Sequence, residues 1–150
     1  MSRYECLMAQ YPQIDIREDY RMPKGLSGLY FDSSIRINKW LPAYEKTGVL
    51  AEEIGHHETS YGDILDLEDV RKKKLEVVAR RWGYEKIVSL DQLVKCYEFG
   101  YITIEDVCTY LEITDTYLKN ALDFYNVKYG GVCLYEQYEI TFDPLNIRIY

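Results

Sequence analysis

Several marks of common protein classes are missing from this chain. Its four cysteines, Cys6, Cys96, Cys108 and Cys133, are scattered. No two stand at Cys-x-x-Cys spacing, which argues against a structural zinc site of that kind. No apolar run is long enough to span a bilayer. The opening residues, Met-Ser-Arg-Tyr-Glu, lack the apolar core of a secretory signal. These absences lead to the expectation of a cytoplasmic protein with reduced thiols and no membrane partner. Positive charge is also short: 18 Lys and Arg against 25 Asp and Glu, a net charge of −7. Such a chain has no general attraction for nucleic acid or anionic lipid. One local exception is Arg71-Lys72-Lys73-Lys74, with Arg80 and Arg81 nearby. Its simplest reading is a solvated helix face; the functional one is contact with an acidic stretch of a substrate. With no repeats and no low-complexity segment, the 150 residues are expected to form a single domain, 1–150.

What is abundant is apolar and aromatic. Hydrophobic residues make up 47% of the chain, enough for a core, and sixteen are tyrosines, suited to half-buried positions where the ring packs and the hydroxyl stays wet. A short helix is expected over about 3–11. Leu29-Tyr30-Phe31 and Ile35-Arg36-Ile37 read as two strands joined through Asp32-Ser33-Ser34. Pro42 suits the first turn of a helix running to about His57. A second helix is expected over about 70–87, with Leu75, Val78, Ala79 and Trp82 as its buried stripe. Ser89 opens a third through a capping box and Gly100 ends it. Thr103 and Thr114 are the expected N-caps of two more, about 104–111 and 116–125. Gly130-Gly131 is a break, and the tail from Tyr138 reads as strand around Asp143-Pro144. Thus the fold class is α+β, a small antiparallel sheet with a helical body, 88–130 forming its helical C-terminal part. The span Thr103 to Tyr125 has helix–turn–helix length. Its would-be recognition helix, however, sets Asp115 and Asp123 against only Lys119. Phosphate contact needs the opposite balance, so a packed helix pair is expected there, without direct nucleic-acid binding.

The helix before His57 poses the sharpest question. Val49, Leu50, Ala51 and Ile54 point to several sides of its axis, as in a buried helix, yet Glu52, Glu53 and His56 lie among them. Buried charges are unfavourable unless paired or bound to metal. Glu52 and His56 are four apart, so both project from one face and can share an ion. Glu53 points about 100° away, where a general base would address the attacking water. A third ligand is then required. Glu76 on the second helix is the candidate, because Ala79 and Gly83 beside it let another helix come close. Asp63, Asp66 and His57 are reserves; His57 is rotated off the ligand face and is expected to pack or hydrogen-bond behind it. By spacing alone, Glu and His four apart also make an ordinary helix-surface pair.

At the level of whole segments the chain resembles the ImmA/IrrE-type metallo-endopeptidases, most closely their phage and mobile-element branch. Gly28-Leu29-Tyr30 followed by Ile35-Arg36-Ile37-Asn38 is similar to the family's strand pair. Val49 to Asp63, containing Ala51-Glu52-Glu53-Ile54-Gly55-His56-His57, resembles the branch's motif segment. Glu76 to Glu85 resembles its second-helix segment, and Tyr110 to Thr114 with Ala121 to Tyr125 its C-terminal helices. The resemblance implies a zincin-like α+β fold with the motif helix buried beneath the sheet. It implies a cytoplasmic zinc-dependent hydrolase that cuts a helix-turn-helix repressor of a prophage or mobile element and so relieves repression. On that resemblance His56 and Glu76 are metal ligands and Glu53 is the general base; apart from the resemblance, His57 and Asp63 are candidates for supporting positions behind the ligands. Glu52 stands where the family's principal pattern, H-E-x-x-H, has its first histidine. A carboxylate there still reaches a metal, but two carboxylates and one imidazole make zinc a weaker Lewis acid and move preference toward harder ions such as manganese. Three outcomes follow: altered metal preference, weak metal binding with poor cleavage, or an inactive member that regulates its repressor by binding. An extended substrate adding to the edge of the Leu29–Ile37 hairpin is a further expectation.

Overall fold

The computed structural model describes residues 1–59 and 69–150. Among them, six helices and six strands make an α+β fold with two hydrophobic clusters. The first cluster is built from α1 (Arg3–Ala9), β1 (Asp15–Asp19), β2 (Gly28–Phe31), β3 (Ser34–Asn38) and α2 (Ala43–Thr59), with Trp82 and Ile87 of α3 (Asp69–Ile87) packed against it. The expected hairpin is there: β2 pairs antiparallel with β3, Tyr30 opposite Ile35. Asp32 and Ser33 both take positive φ at 49° and 60°, the geometry of a two-residue turn whose twist matches the strands it joins.

The expectation of a purely antiparallel sheet needs one correction. β1 adds to the other side of β3 in parallel, giving the order β1-β3-β2. Its sequence, Asp-Ile-Arg-Glu-Asp, has a single apolar residue and hides the strand from any hydrophobic pattern. Charged side chains are a usual guard of an exposed edge, and Asp15 here pairs with Arg17 at 3.0 Å and Arg36 at 3.5 Å.

The sheet lies on α2. Ile35 and Ile37 of the central strand are fully buried with Leu50, Ala51 and Ile54 of the helix. The Pro42 carbonyl accepts hydrogen bonds from the N–H groups of Glu45 and Lys46, so the helix starts where the proline suits it. α3 departs from its expected stripe. Val78 is 45% exposed and Leu75 only partly covered, whereas Ala79, Gly83 and Tyr84 are buried. The face turned inward is the small one, because α3 packs on α2 at close range.

The second cluster gathers α4 (Leu90–Glu98), α5 (Ile104–Leu111), α6 (Asp115–Tyr129) and the antiparallel meander β4 (Val132–Tyr135), β5 (Tyr138–Phe142), β6 (Leu145–Ile149). Ser89, Thr103 and Thr114 are N-caps, their hydroxyls accepting from the N–H groups of Gln92, Asp106 and Tyr117. The strand β4 was not anticipated; Val-Cys-Leu-Tyr is too short to show a period. The clusters meet at Ile87, which packs on both, and at Tyr117, whose ring sits against Gly48. No helix among the described residues is long and apolar enough to cross a membrane.

Candidate metal centre

α2 and α3 run antiparallel at unusually close range. A side chain at Gly55 would collide with the Ala79 carbonyl oxygen, and one at Gly83 would lie 3.3 Å from the Ala51 Cβ. This seam of Gly55, Ala79, Ala51 and Gly83 brings the polar residues on either side of it together. His56 Nε2 lies 3.2 Å from Glu76 Oε1, and Arg80 Nη2 lies 3.4 Å from Glu52 Oε1. Each helix supplies its two residues one turn apart, so the pairs form successive rungs between the helices. Glu52, His56 and Glu76 present ligand atoms that all lie within 4.8 Å of one another.

Burial sharpens the chemistry. His56 is 2% exposed, and its Nδ1 finds no hydrogen-bond partner among the described residues. Glu53 Oε2 is likewise buried and unpartnered. Burial pushes the Glu53 carboxyl up to about 8, reinforced by the negative charges of Glu52 and Glu76. Burial also raises Glu52; the Arg80 guanidinium opposes that rise, and the neighbouring Glu76 carboxyl adds to it.

Such a donor set fits a divalent cation. Two carboxylates side by side with an imidazole are unfavourable unless a proton or a cation lies between them. Two ligands each about 2.1 Å from a tetrahedral ion lie about 3.4 Å apart, close to the His56–Glu76 separation. The same separation is that of a direct hydrogen bond. The group can hold a metal ion, and its two oxygens and one nitrogen leave the choice among zinc and harder ions to chemistry beyond geometry.

The other side of α2 faces the sheet. Glu53 Cγ would lie 3.1 Å from a Cβ on Gly28 of β2, so the edge strand runs directly beside the acid. One turn further on, His57 Nδ1 shares a hydrogen bond of 2.9 Å with the Tyr30 hydroxyl, their rings edge to face at 5.6 Å. Two faces of one helix are therefore functionalised: Glu52 and His56 toward α3, Glu53 and His57 toward β2.

Of the residues singled out from sequence, Glu52, His56 and Glu76 come together with Glu53 alongside. His57 is turned away, on the Glu53 face with Tyr30. Asp63 and Asp66 lie outside the described residues. Arg71, Lys73 and Lys74 are exposed on α3. Sequence reasoning missed two residues. Arg80 is one, masked by the basic residues near it, although its i, i+4 spacing from Glu76 mirrors that of His56 from Glu52. Tyr30 shares a strand face with Gly28, two residues back, but that face is identified only once α2 is seen beneath it. The substrate edge also moves. Ile35 lies on the central strand β3, paired on both sides, so the edge beside Glu53 belongs to β2. Set against protein-family models, curated proteins and solved structures, the chain finds no match.

Proposed function

We propose that this chain is a metal-dependent endopeptidase of the ImmA/IrrE type, holding zinc or manganese through Glu52, His56 and Glu76. The proposed substrate is a helix-turn-helix repressor of a prophage or mobile element, cut in the cytoplasm to relieve repression. The observation that carries the chemistry is the convergence of those three side chains across the α2–α3 seam, with Glu53 buried beside them. The repressor rests on the segment resemblance alone.

A bound divalent ion would supply Lewis acidity, polarising the scissile carbonyl and making water a better nucleophile. The protein's own part falls to four groups. The free edge of β2 offers backbone hydrogen bonds to an extended peptide and aligns it over Glu53. A Glu53 carboxylate oxygen takes the proton of the attacking water and returns it to the leaving amine nitrogen. The low-polarity surroundings that raise Glu53 make it a stronger base than a solvated carboxylate. Tyr30 and His57 hold each other in place between β2 and α2.

The first test is metal content by plasma mass spectrometry on wild type and His56→Ala. About one ion per chain, lost in the variant, is the expected result; a metal-free wild type after incubation with zinc and manganese rules the ligand set out. Incubation of the metal-loaded protein with the repressor encoded nearest to it then tests cleavage.

A second reading has its own observation. With Glu52 bound to Arg80 and His56 to Glu76, the four side chains also satisfy one another as two interhelical ion pairs. On that reading the protein regulates its repressor by binding, and the complex survives Glu53→Gln unchanged. No complex with the repressor would remove it.

A further inference from the structure

A cleft of about 190 Å³ opens between α2, α3 and the first turns of α6. Glu52 belongs both to its wall and to the metal-binding group, so an occupant of the cleft lies directly beside that group. Size restricts what the occupant is. Sites that enclose cofactors or drug-sized ligands run from about 300 to 1,000 Å³, so this one suits a single amino-acid side chain.

The walls restrict it further. Tyr44, Val49, Tyr84 and Tyr117 supply apolar surface. Glu52 is engaged by the metal-binding group, the Arg80 guanidinium beside it is half open to solvent, and Glu45 is solvent-exposed, so no buried, unanswered charge calls for a charged guest. The back of the cleft is preformed. The Tyr117 side chain is seated in a notch made by two glycines: a Cβ on Gly48 would approach its ring to 2.6 Å, and one on Gly83 its hydroxyl oxygen to 3.0 Å. Tyr84 braces the same ring edge-on at 5.2 Å. Three helices far apart in sequence thus hold an aromatic-walled recess in place without a ligand.

We infer that this cleft is a specificity pocket that takes one large apolar side chain, aromatic or branched aliphatic, of a peptide lying across the Glu52–His56–Glu76 group. The inference rests on the endopeptidase reading and says which bonds such an enzyme would choose: those flanked by a bulky apolar residue, in a segment extended enough to lay its backbone along β2.

Binding tests it independently of turnover. The full chain carrying Glu53→Gln, loaded with zinc or manganese, is titrated against labelled twelve-residue alanine–serine peptides that bear one central Phe, Leu, Lys or Asp. The Phe or Leu peptide is expected to bind at least about tenfold more tightly than the unsubstituted peptide. Thr116→Trp and Asn120→Trp, at exposed positions lining the cleft, should abolish that preference while metal content and circular dichroism stay unchanged. Equal binding of all peptides, no measurable binding, a preference for Lys or Asp, or a preference that survives both tryptophans would each overturn the pocket. The same peptides given to the wild type separate the two ideas. Cleavage without apolar preference removes the pocket and keeps the endopeptidase. Apolar preference in binding with no cleavage of any substrate keeps the pocket and removes the endopeptidase.

Discussion

The two halves of this molecule treat their buried polar groups differently. In the second half, the Tyr125 hydroxyl, deep in the cluster, donates to the Val88 carbonyl at 2.7 Å, and each of its three helices carries a hydroxyl N-cap. Its unpartnered buried atoms belong to uncharged groups, the Gln92 carbonyl and the Tyr117 hydroxyl. In the first half the unpartnered atoms include an acid, Glu53, and an imidazole, His56, on the same helix. Leaving an ionisable group buried without a partner is costly, and natural folds tolerate such violations chiefly where function requires them. The contrast sets the buried, unanswered acid and imidazole atoms among the described residues in the first half, independently of any motif.

Four experiments press on that contrast, in falling order of effect. Glu53→Gln should lower peptide cleavage by about 10² to 10⁴-fold with metal content unchanged; retained cleavage would return Glu53 to an ordinary buried acid. Gly55→Val drives a side chain into the Ala79 backbone and should destabilise the protein by about 3 kcal/mol or more in urea unfolding, with metal binding lost alongside. Gly130→Ala in the second half is the control. It meets nothing within 4 Å and bears only the strain of its φ of 65°, about 1 kcal/mol.

The third concerns pH in the metal-free protein. The Glu53 carboxyl is raised from 4.5 to about 8, so its protonated form favours the fold. That contribution is complete below about pH 4.5 and is lost as pH rises through 8. Unfolding free energy should therefore fall by about 3–4 kcal/mol between pH 5 and 8, and the Glu53→Gln protein should show a flatter profile. A wild-type profile as flat as the variant's would mean the acid is better solvated than its burial implies. The smallest effect belongs to Tyr125→Phe. Losing the bond to Val88 should lower stability by about 1 kcal/mol and leave metal content and cleavage untouched. A change in metal content on this substitution would mean the halves are coupled.

Much of the scaffold was legible from local chemistry. The hydroxyl caps, the Asp32-Ser33 turn and the four-residue spacing of Glu52 and His56 are short-range signals, and short-range physics decides them. β1 and β4 were not legible, one because charge masks a parallel edge strand, the other because four residues carry no period. The inward face of α3 was misjudged for a related reason. Bulk at Val78 suggests burial, but a close helix pair selects for small residues. Arg80 as the partner of Glu52, Tyr30 as the partner of His57 and the tyrosine-walled cleft all depend on elements brought together across long stretches of chain. Their signals exist only once the helices are placed.

One consequence of the α2–α3 seam reaches past this chain. Where backbones touch through glycine and alanine, the distance between opposing side chains is set by main-chain atoms and not by the side chains themselves. The scaffold then works as a fixed-gauge clamp whose jaws can be re-tipped: imidazole or carboxylate at position 52 meets the same opening. Ligand chemistry on such a frame is free to drift from one metal to another, or toward none, without the fold having to be rebuilt.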